Sequence, residues 1–452
     1  MTSRGLIAFA DARVPRYTSY PTATQFGPLD EATYRGWLRA AVRPADTLSL
    51  YVHVPFCRNL CWYCGCLTRP TRSEPRIDTY AEALLMEAAL LSASLPSHAG
   101  ISHLHLGGGT PSILGPERLR TLMQRLHAAF GFHPDAEIAI ELDPRYVSDE
   151  LAATLAAIGV TRVSLGVQDI TPEVQAAIGR IQPAAQVAEA VARLRRAGMA
   201  SINLDLMYGL PRQTAAHVET TARFAAGLKP ARVAVFGYAH VPWMRTHQKA
   251  IDAAALPGAE ARLEQAECAE RVLCAEGYQA LGLDHFARPD DPLAGAARAG
   301  TLRRNFQGYT TDRAGVLLGL GASSIGTLPS GFAQNDTREA EYRTAVLAGR
   351  LPVVRGCAVT AEDRLRAGMI ERLMCDFALD LDALAQSGAE AAAIVAEARE
   401  RFAPLQRDGL VAVRDGWLRV TPEGRRFVRQ AAACFDAYLH PGGGVPRHAV
   451  AV

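Results

Sequence analysis

Six short runs of largely apolar residues, each bounded by turn signals, recur through the first half of the chain: Leu48–Val54, Ile101–Leu106, Glu137–Leu142, Thr161–Val167, Ser201–Met207 and Arg232–Tyr238. Such runs read as β-strands. Helical patterns lie between most of them. Ile77–Leu95, with Asp78 as its expected cap, repeats apolar residues at Tyr80, Leu84, Ala88 and Leu91. Ala184–Ala197 sets Val187, Val191 and Leu194 on one face and stops at Gly198. Alternating strands and helices imply parallel strands joined by right-handed crossovers, an α/β chain. An open doubly wound sheet and a partial β/α barrel both satisfy the alternation. In either, ligands sit at the C-terminal ends of the strands.

Those ends carry the informative residues. The first strand runs into a cysteine cluster, the second into Gly107-Gly108-Gly109-Thr110-Pro111 and the third into Glu141-Leu142-Asp143-Pro144. The fourth ends in Gly166-Val167-Gln168-Asp169 and the fifth in Asp205–Pro211. Polar or glycine-rich ends on five successive strands point to one shared mouth.

Beyond residue 245 the pattern changes. Ala253–Tyr278 reads as an Ala-rich helix, and Asp284–Asp291 and Arg303–Asp312 as irregular polar segments. Residues 360–440 read as helical, with a hairpin turning at Asp415-Gly416 and a final helix starting near Thr421. Helices with a hairpin suggest a winged helix, but only Arg425, Arg426 and Arg429 would supply its charge. A lid or scaffold fits better than DNA binding. Lys+Arg is 48 and Asp+Glu is 46, which gives no electrostatic case for nucleic acid. Only two of those cations are lysines, Lys229 and Lys249. Coding bias accounts for that, and a polycarboxylate ligand met by guanidinium forks is compatible with it. No apolar stretch is long enough for a membrane span, and Gly5–Ala10 is too short for a signal-peptide core. The expected location is cytoplasmic.

Four of nine cysteines crowd into Cys57-Arg-Asn-Leu-Cys61-Trp-Tyr-Cys64-Gly-Cys66. Cys268, Cys274, Cys357, Cys375 and Cys434 lie scattered and read as ordinary buried thiols. Structural zinc wants two separated Cys pairs, and no second pair follows. Three cysteines at x3 and x2 spacing in one loop suit three corners of an iron–sulfur cubane, leaving one iron open. Cys66, two residues after Cys64, is placed outside the ligand set.

A Cys-x3-Cys-x2-Cys loop after the first strand, with aromatic Tyr63 before its third cysteine, resembles the radical S-adenosylmethionine (SAM) superfamily. Further segments resemble one of its families, the oxygen-independent coproporphyrinogen III oxidases. They are Pro15–Pro21, Tyr51–Cys57, Cys64-Gly-Cys66, Gly107–Pro111, Glu141–Pro144, Gly166–Asp169, Asp205–Pro211, Tyr238–His240, Asp284–Asp291 and Asn305–Thr311. The resemblance runs from about residue 15 to 440. Trp62 departs from the usual residue at its position and is expected still to pack.

The resemblance implies an incomplete (β/α)6 barrel with an N-terminal extension and a mostly helical C-terminal domain holding a small hairpin. The expected divisions are 1–47 for an extension over the mouth, 48–245 for the barrel, 246–355 for a substrate-side segment and 356–452 for the C-terminal domain. It implies a [4Fe–4S] cluster on Cys57, Cys61 and Cys64, and two SAM molecules. Tyr51, Gly108, Glu141 and Ile325 would contact one. Tyr63, Gly109, Thr110, Gln168, Arg180, Asp205 and Ala239 would contact the other. Cys66, Gln307 and Arg16 would serve the substrate. The implied reaction turns two propionates of coproporphyrinogen III into vinyls. It starts from a 5′-deoxyadenosyl radical, because a C–H bond β to a carboxylate resists deprotonation near neutral pH. An electron donor and a terminal acceptor are implied partners, and the chain is expected to be a monomer. A haem chaperone of the same superfamily is the alternative, with another tetrapyrrole-acting radical enzyme behind it. Cys66 and the Arg16–Pro21 segment argue against the chaperone.

Overall fold

The computed structural model describes Phe9 and residues 12–439. The tail Pro441–Val452 and, Phe9 excepted, the run Gly5–Ala10 lie outside the described residues. All six expected strands form: β1 (Leu48–Val54), β2 (Ile101–Gly108), β3 (Phe132–Leu142), β4 (Arg162–Gln168), β5 (Ser201–Tyr208) and β6 (Arg232–Gly237). They pair in parallel in that order, with Val54 opposite Gly108, Glu141 opposite Ser164 and Gly166 opposite Asp205. The register therefore brings the polar strand ends to one edge.

Alternation sorts the side chains. In β5, Ile202, Leu204 and Leu206 are buried among the outer helices, while Asn203 and Asp205 line the inner face. The helix after β1 spans Glu74–Ser92 and is capped by Ser73, not Asp78. Asp78 lies within that helix and pairs with Arg118.

The second half corrects the sequence reading. Leu317–Leu320 joins β1 in parallel, and Ile325–Leu328, Gly331–Asn335 and Val353–Ala358 extend the sheet antiparallel. Gly27–Pro28 pairs at that edge, and His285–Ala287 and Gln279–Leu281 close the other. The sheet has thirteen strands among the described residues and stays open. Segment 246–355 thus shares the barrel's sheet. The expected irregular stretch Arg303–Asp312 holds a hairpin of Arg303–Asn305 and Gly308–Thr310. The expected helix over Ala253–Tyr278 shortens to Ala259–Ala275.

The C-terminal region has its own core of Met369, Leu373, Phe402, Leu418 and Phe435. Its hairpin turns at Asp415 and Gly416, both in left-handed backbone. Ala378–Asp380 adds a third strand, and the last helix is Val428–Ala433. Tyr17 and Tyr20 of the N-terminal extension are buried in this core. Among the scattered cysteines, Cys268, Cys375 and Cys434 are buried as expected, Cys357 is half-buried and Cys274 is exposed.

Candidate functional site

Chain geometry fixes the cysteine loop before any ligand does. It leaves β1 through Pro55 and Phe56. Its far end is tied back by backbone bonds from Arg69 N to Pro55 O and from Thr71 N to Cys57 O, each 2.8 Å. Three successive carbonyls are held from one segment: Gln248 Nε2 donates to Tyr63 O at 3.0 Å, His247 Nε2 to Cys64 O at 2.7 Å and Arg245 Nε to Gly65 O at 2.9 Å. Trp62 N donates to Ile178 O at 3.0 Å, and the Trp62 ring lies over Gly179. Trp62 packs as expected. The anchors Arg245, His247 and Gln248 went unread in the sequence, because a side chain that grips a backbone carbonyl leaves no motif.

The thiols sit in distinct surroundings. Cys61 is buried, Cys57 and Cys64 are half-buried, and Cys66 is exposed toward the mouth. Thr110 Oγ1 and Thr68 Oγ1 each lie 3.4 Å from Cys57 Sγ. Burial pushes the Cys57 thiol up, against the pull of these hydroxyls. Arg180 Nη1 lies 3.3 Å from Cys61 Sγ and Arg145 Nη2 lies 3.8 Å from it. Cys66 hydrogen-bonds Cys64, which holds the Cys64 thiol below its ordinary range and pushes Cys66 well above. Among the described residues, no three metal-binding side chains gather round a single point. A cluster takes one thiolate at each of three irons, so its ligands stand apart. The donor set and the N–H and O–H groups aimed at its sulfurs fit a cluster.

Glu141 stands at the end of β3. Its Oε1 meets His105 Nε2 at 3.0 Å and its Oε2 accepts from Gly108 N at 3.1 Å. Burial would raise this carboxyl, but His105 and the Gly108 N–H hold it below the usual range. Asp205 accepts from Ser164 Oγ at 2.7 Å and Asn203 Nδ2 at 2.8 Å. Its burial wins, and the carboxyl rises. Tyr51 OH lies 3.0 Å from His53 Nδ1, and His53 Nε2 lies 3.0 Å from Leu67 O. A carbonyl only accepts, so Nε2 carries the proton and Nδ1 accepts from Tyr51.

Two of the glycines also have a role within the chain. At Gly108, whose φ is +114°, a Cβ would lie 2.7 Å from the His53 ring, and at Gly109 it would meet Phe56 O at 2.4 Å. Packing within the chain already requires glycine at both. Gln168 sits in left-handed backbone (φ 66°) at a bulge between β4 and β5. Arg180 is buried and donates to Gly166 O at 2.6 Å and Asp143 Oδ2 at 3.3 Å. Its guanidinium thus already has partners inside the chain.

The structure gathers Glu141, Asp205 and Gln307 around one cavity of about 180 Å³ inside the barrel. Gln307 caps it from the tip of the hairpin, where its N–H bonds Asn305 Oδ1 at 2.9 Å. Tyr63 packs beside Tyr238 and Ile251, Ala239 O accepts from Gln248 Nε2 at 3.2 Å, and Ile325 begins its strand at the edge. Arg16 lies at the mouth, donating from Nη2 to Gly237 O at 3.2 Å.

Comparison with known proteins follows this geometry. The Radical SAM superfamily profile matches residues 51–225, and that of the HemN C-terminal domain matches 359–427. The chain is 48% identical, over 96% of its length and 97% of the relative's, to an oxygen-independent coproporphyrinogen III oxidase of Bradyrhizobium diazoefficiens. It is 41% identical to the enzyme of that name from Escherichia coli, over 94% of this chain and 93% of that one. A solved structure of coproporphyrinogen III oxidase from Escherichia coli, described as a radical SAM enzyme, superposes with a TM-score of 0.89 at 39% identity. It covers 95% of this chain and all (100%) of that one.

Proposed function

We infer the reaction from one premise: the chain belongs to the oxygen-independent coproporphyrinogen III oxidases of the radical SAM superfamily. It is an oxidoreductase of porphyrin and haem biosynthesis. It converts two propionates of coproporphyrinogen III to vinyls, giving protoporphyrinogen IX and carbon dioxide. The [4Fe–4S] cluster and SAM of the superfamily supply, when bound, a carbon radical able to take hydrogen from an unactivated C–H bond.

Cys57, Cys61 and Cys64 would hold the cluster, and the supporting observation is the set of donors turned on their sulfurs. Arg180 and Arg145 offset thiolate charge at Cys61, and the two threonine hydroxyls do so at Cys57. Glu141, kept ionised by His105 and Gly108, would pair with the amine of the cluster-bound SAM, flanked by Tyr51, Gly108 and Ile325. A second SAM would lie along Tyr63, Gly109, Thr110, Gln168, Arg180, Asp205 and Ala239. Asp205, with its raised carboxyl, suits ribose hydroxyls. Gln307 would orient the reacting propionate over the inner cavity. Cys66, protonated and exposed, would deliver or take a hydrogen or proton at the substrate. Arg16 would meet a propionate. The extension, barrel, substrate-side segment and C-terminal domain would divide at residues 47, 245 and 355 by role, although the sheet crosses all three boundaries.

Nine free thiols favour a reducing compartment, so we place the chain in the cytoplasm. No helix among the described residues is long and apolar enough to cross a membrane. A soluble electron donor, a terminal acceptor and a monomeric chain complete the reading. Sedimentation at 48.5 kDa tests the last.

The deciding experiment is anaerobic turnover of coproporphyrinogen III with SAM, a reductant and cell extract as acceptor. Loss of carbon dioxide and two hydrogens at each of two positions, with 5′-deoxyadenosine, is expected. Cleavage of SAM with unchanged porphyrinogen would overturn the substrate.

A further inference from the structure

A second cavity lies where the ends of β5 and β6 meet the N-terminal extension and the C-terminal domain. Arg16, Arg262, Arg304, Arg426 and Arg429 line it, with Asp284 and Glu270 as its acidic residues. Neither carboxylate is uncommitted: Glu270 pairs with Arg426 at 2.7 Å, and Asp284 meets His285 Nδ1 at 2.7 Å. Five guanidiniums and two carboxylates line the cavity.

Four of the five cations donate to neutral backbone carbonyls, Arg262 Nη2 to Tyr238 O at 2.9 Å and Arg429 Nη1 to Val14 O at 3.3 Å among them. Arg16 Nη2 donates to Gly237 O, and Arg304 Nη2 donates to Arg16 O at 3.4 Å. Arg304 stacks on Tyr309 with its guanidinium carbon 4.4 Å from the ring centre, while its Nε and Nη1 are buried without a hydrogen-bond partner. Buried polar groups left unpaired are costly, and a ligand oxygen here would satisfy these two. Burial, and after it the nearby Arg16 charge, pulls the Arg429 guanidinium down to about 10.

Size narrows the ligand. The cavity is about 60 Å³, room for roughly two waters, hence for one carboxylate and not a ring. Across Arg304 opens a cavity of about 380 Å³ with a floor of Phe306, Phe332, Leu328 and Ile370. That volume and that floor suit an apolar body from which the carboxylate would hang.

Resting on the reaction assigned above, we propose that this arginine cavity is a carboxylate socket for a propionate of the porphyrinogen that is not the one reacting. Arg304 and Arg262 are the positioning residues, and they set specificity for a polycarboxylate ring. The carboxylate of SAM is the competing source. The apolar cavity across Arg304 favours the propionate, although Ala239, placed along the second SAM, also lines the socket.

The test titrates the full, cluster-loaded chain anaerobically with coproporphyrin III, its tetramethyl ester and S-adenosylhomocysteine. R304Q and R262Q are each compared with the native chain. Porphyrin fluorescence should show coproporphyrin III binding about 10–100-fold more weakly to either variant, as for one lost charge-assisted bond. Ester binding and S-adenosylhomocysteine binding should not change. R262Q carries the test if R304Q does not fold. Equal weakening of the ester overturns the socket, because the loss would then not depend on charge. Weakened S-adenosylhomocysteine with intact porphyrin binding gives the cavity to SAM. Native binding with unchanged variants overturns only the socket. A native chain that binds no coproporphyrin III overturns the substrate reading with it.

Discussion

Arg180 Nη1 stands 3.3 Å both from Cys61 Sγ and from Asp143 Oδ2, so one buried cation bridges a thiol and a carboxylate. Replacing it with Gln should leave the three cysteines able to take up iron but remove positive charge beside one thiolate. The cluster's reduced form should become harder to reach. A potentiometric titration followed by electron paramagnetic resonance should show a lower midpoint with unchanged iron content. Asp143 keeps its bidentate bonds from Arg145, so the fold should survive.

Gln248 is fully buried and holds both Tyr63 O and Ala239 O. Gln248→Ala leaves these carbonyls unpaired, a loss of about 1–3 kcal/mol. The variant should melt lower and retain less iron after reconstitution, although no thiol has changed.

Cys66→Ser should retain native iron content and lose porphyrinogen turnover. Cys57→Ala, Cys61→Ala and Cys64→Ala should each lose the iron. Iron analysis beside product mass spectrometry separates the two patterns, and unimpaired turnover in Cys66→Ser would remove Cys66 from the reaction.

Glu87 carries a pH prediction. Its carboxylate accepts from Tyr342 OH, Gly321 N and Asn335 Nδ2 at 2.6–2.7 Å. Burial outweighs these bonds and pushes it up to about 7. The folded state then holds its proton over a range where the unfolded chain has released it. Stability should fall as pH rises from about 4.5 through 7, by roughly 3 kcal/mol for this group. Glu87→Gln should flatten that slope between about pH 4.5 and 7 in thermal melts.

Tyr17 OH donates to Asp436 at 2.9 Å across the buried seam between extension and C-terminal core. Tyr17→Phe should loosen the extension. A raised KM for the porphyrinogen, a kcat nearer the native value and faster proteolysis before Tyr20 are expected.

The strand-and-helix half of this fold was legible because each strand there is long, apolar and followed by its own helix. The strands from Leu317 to Ala358 were not. They are short and mostly buried, so no period of two emerges from residues such as Leu317–Leu320. Asp78 looked like a cap because caps and surface ion-pair residues share a chemistry, and only the structure shows Ser73 in that role. The cysteine loop, Glu141 and Asp205 announced themselves at strand ends. His53 and His105 sit among apolar neighbours in sequence, and their tie to Tyr51 and Glu141 depends on which face of the sheet they occupy. Arg180 was legible as a charge near the site, but its bond to Cys61 spans 119 positions of sequence.

Tyr17 and Asp436 stand 419 positions apart, and Tyr17 and Tyr20 are buried against residues between Met369 and Phe435. During synthesis the stretch that holds Tyr17 and Tyr20 therefore emerges early and gains these contacts only once most of the chain has been made. The barrel and its cysteine loop are complete long before that.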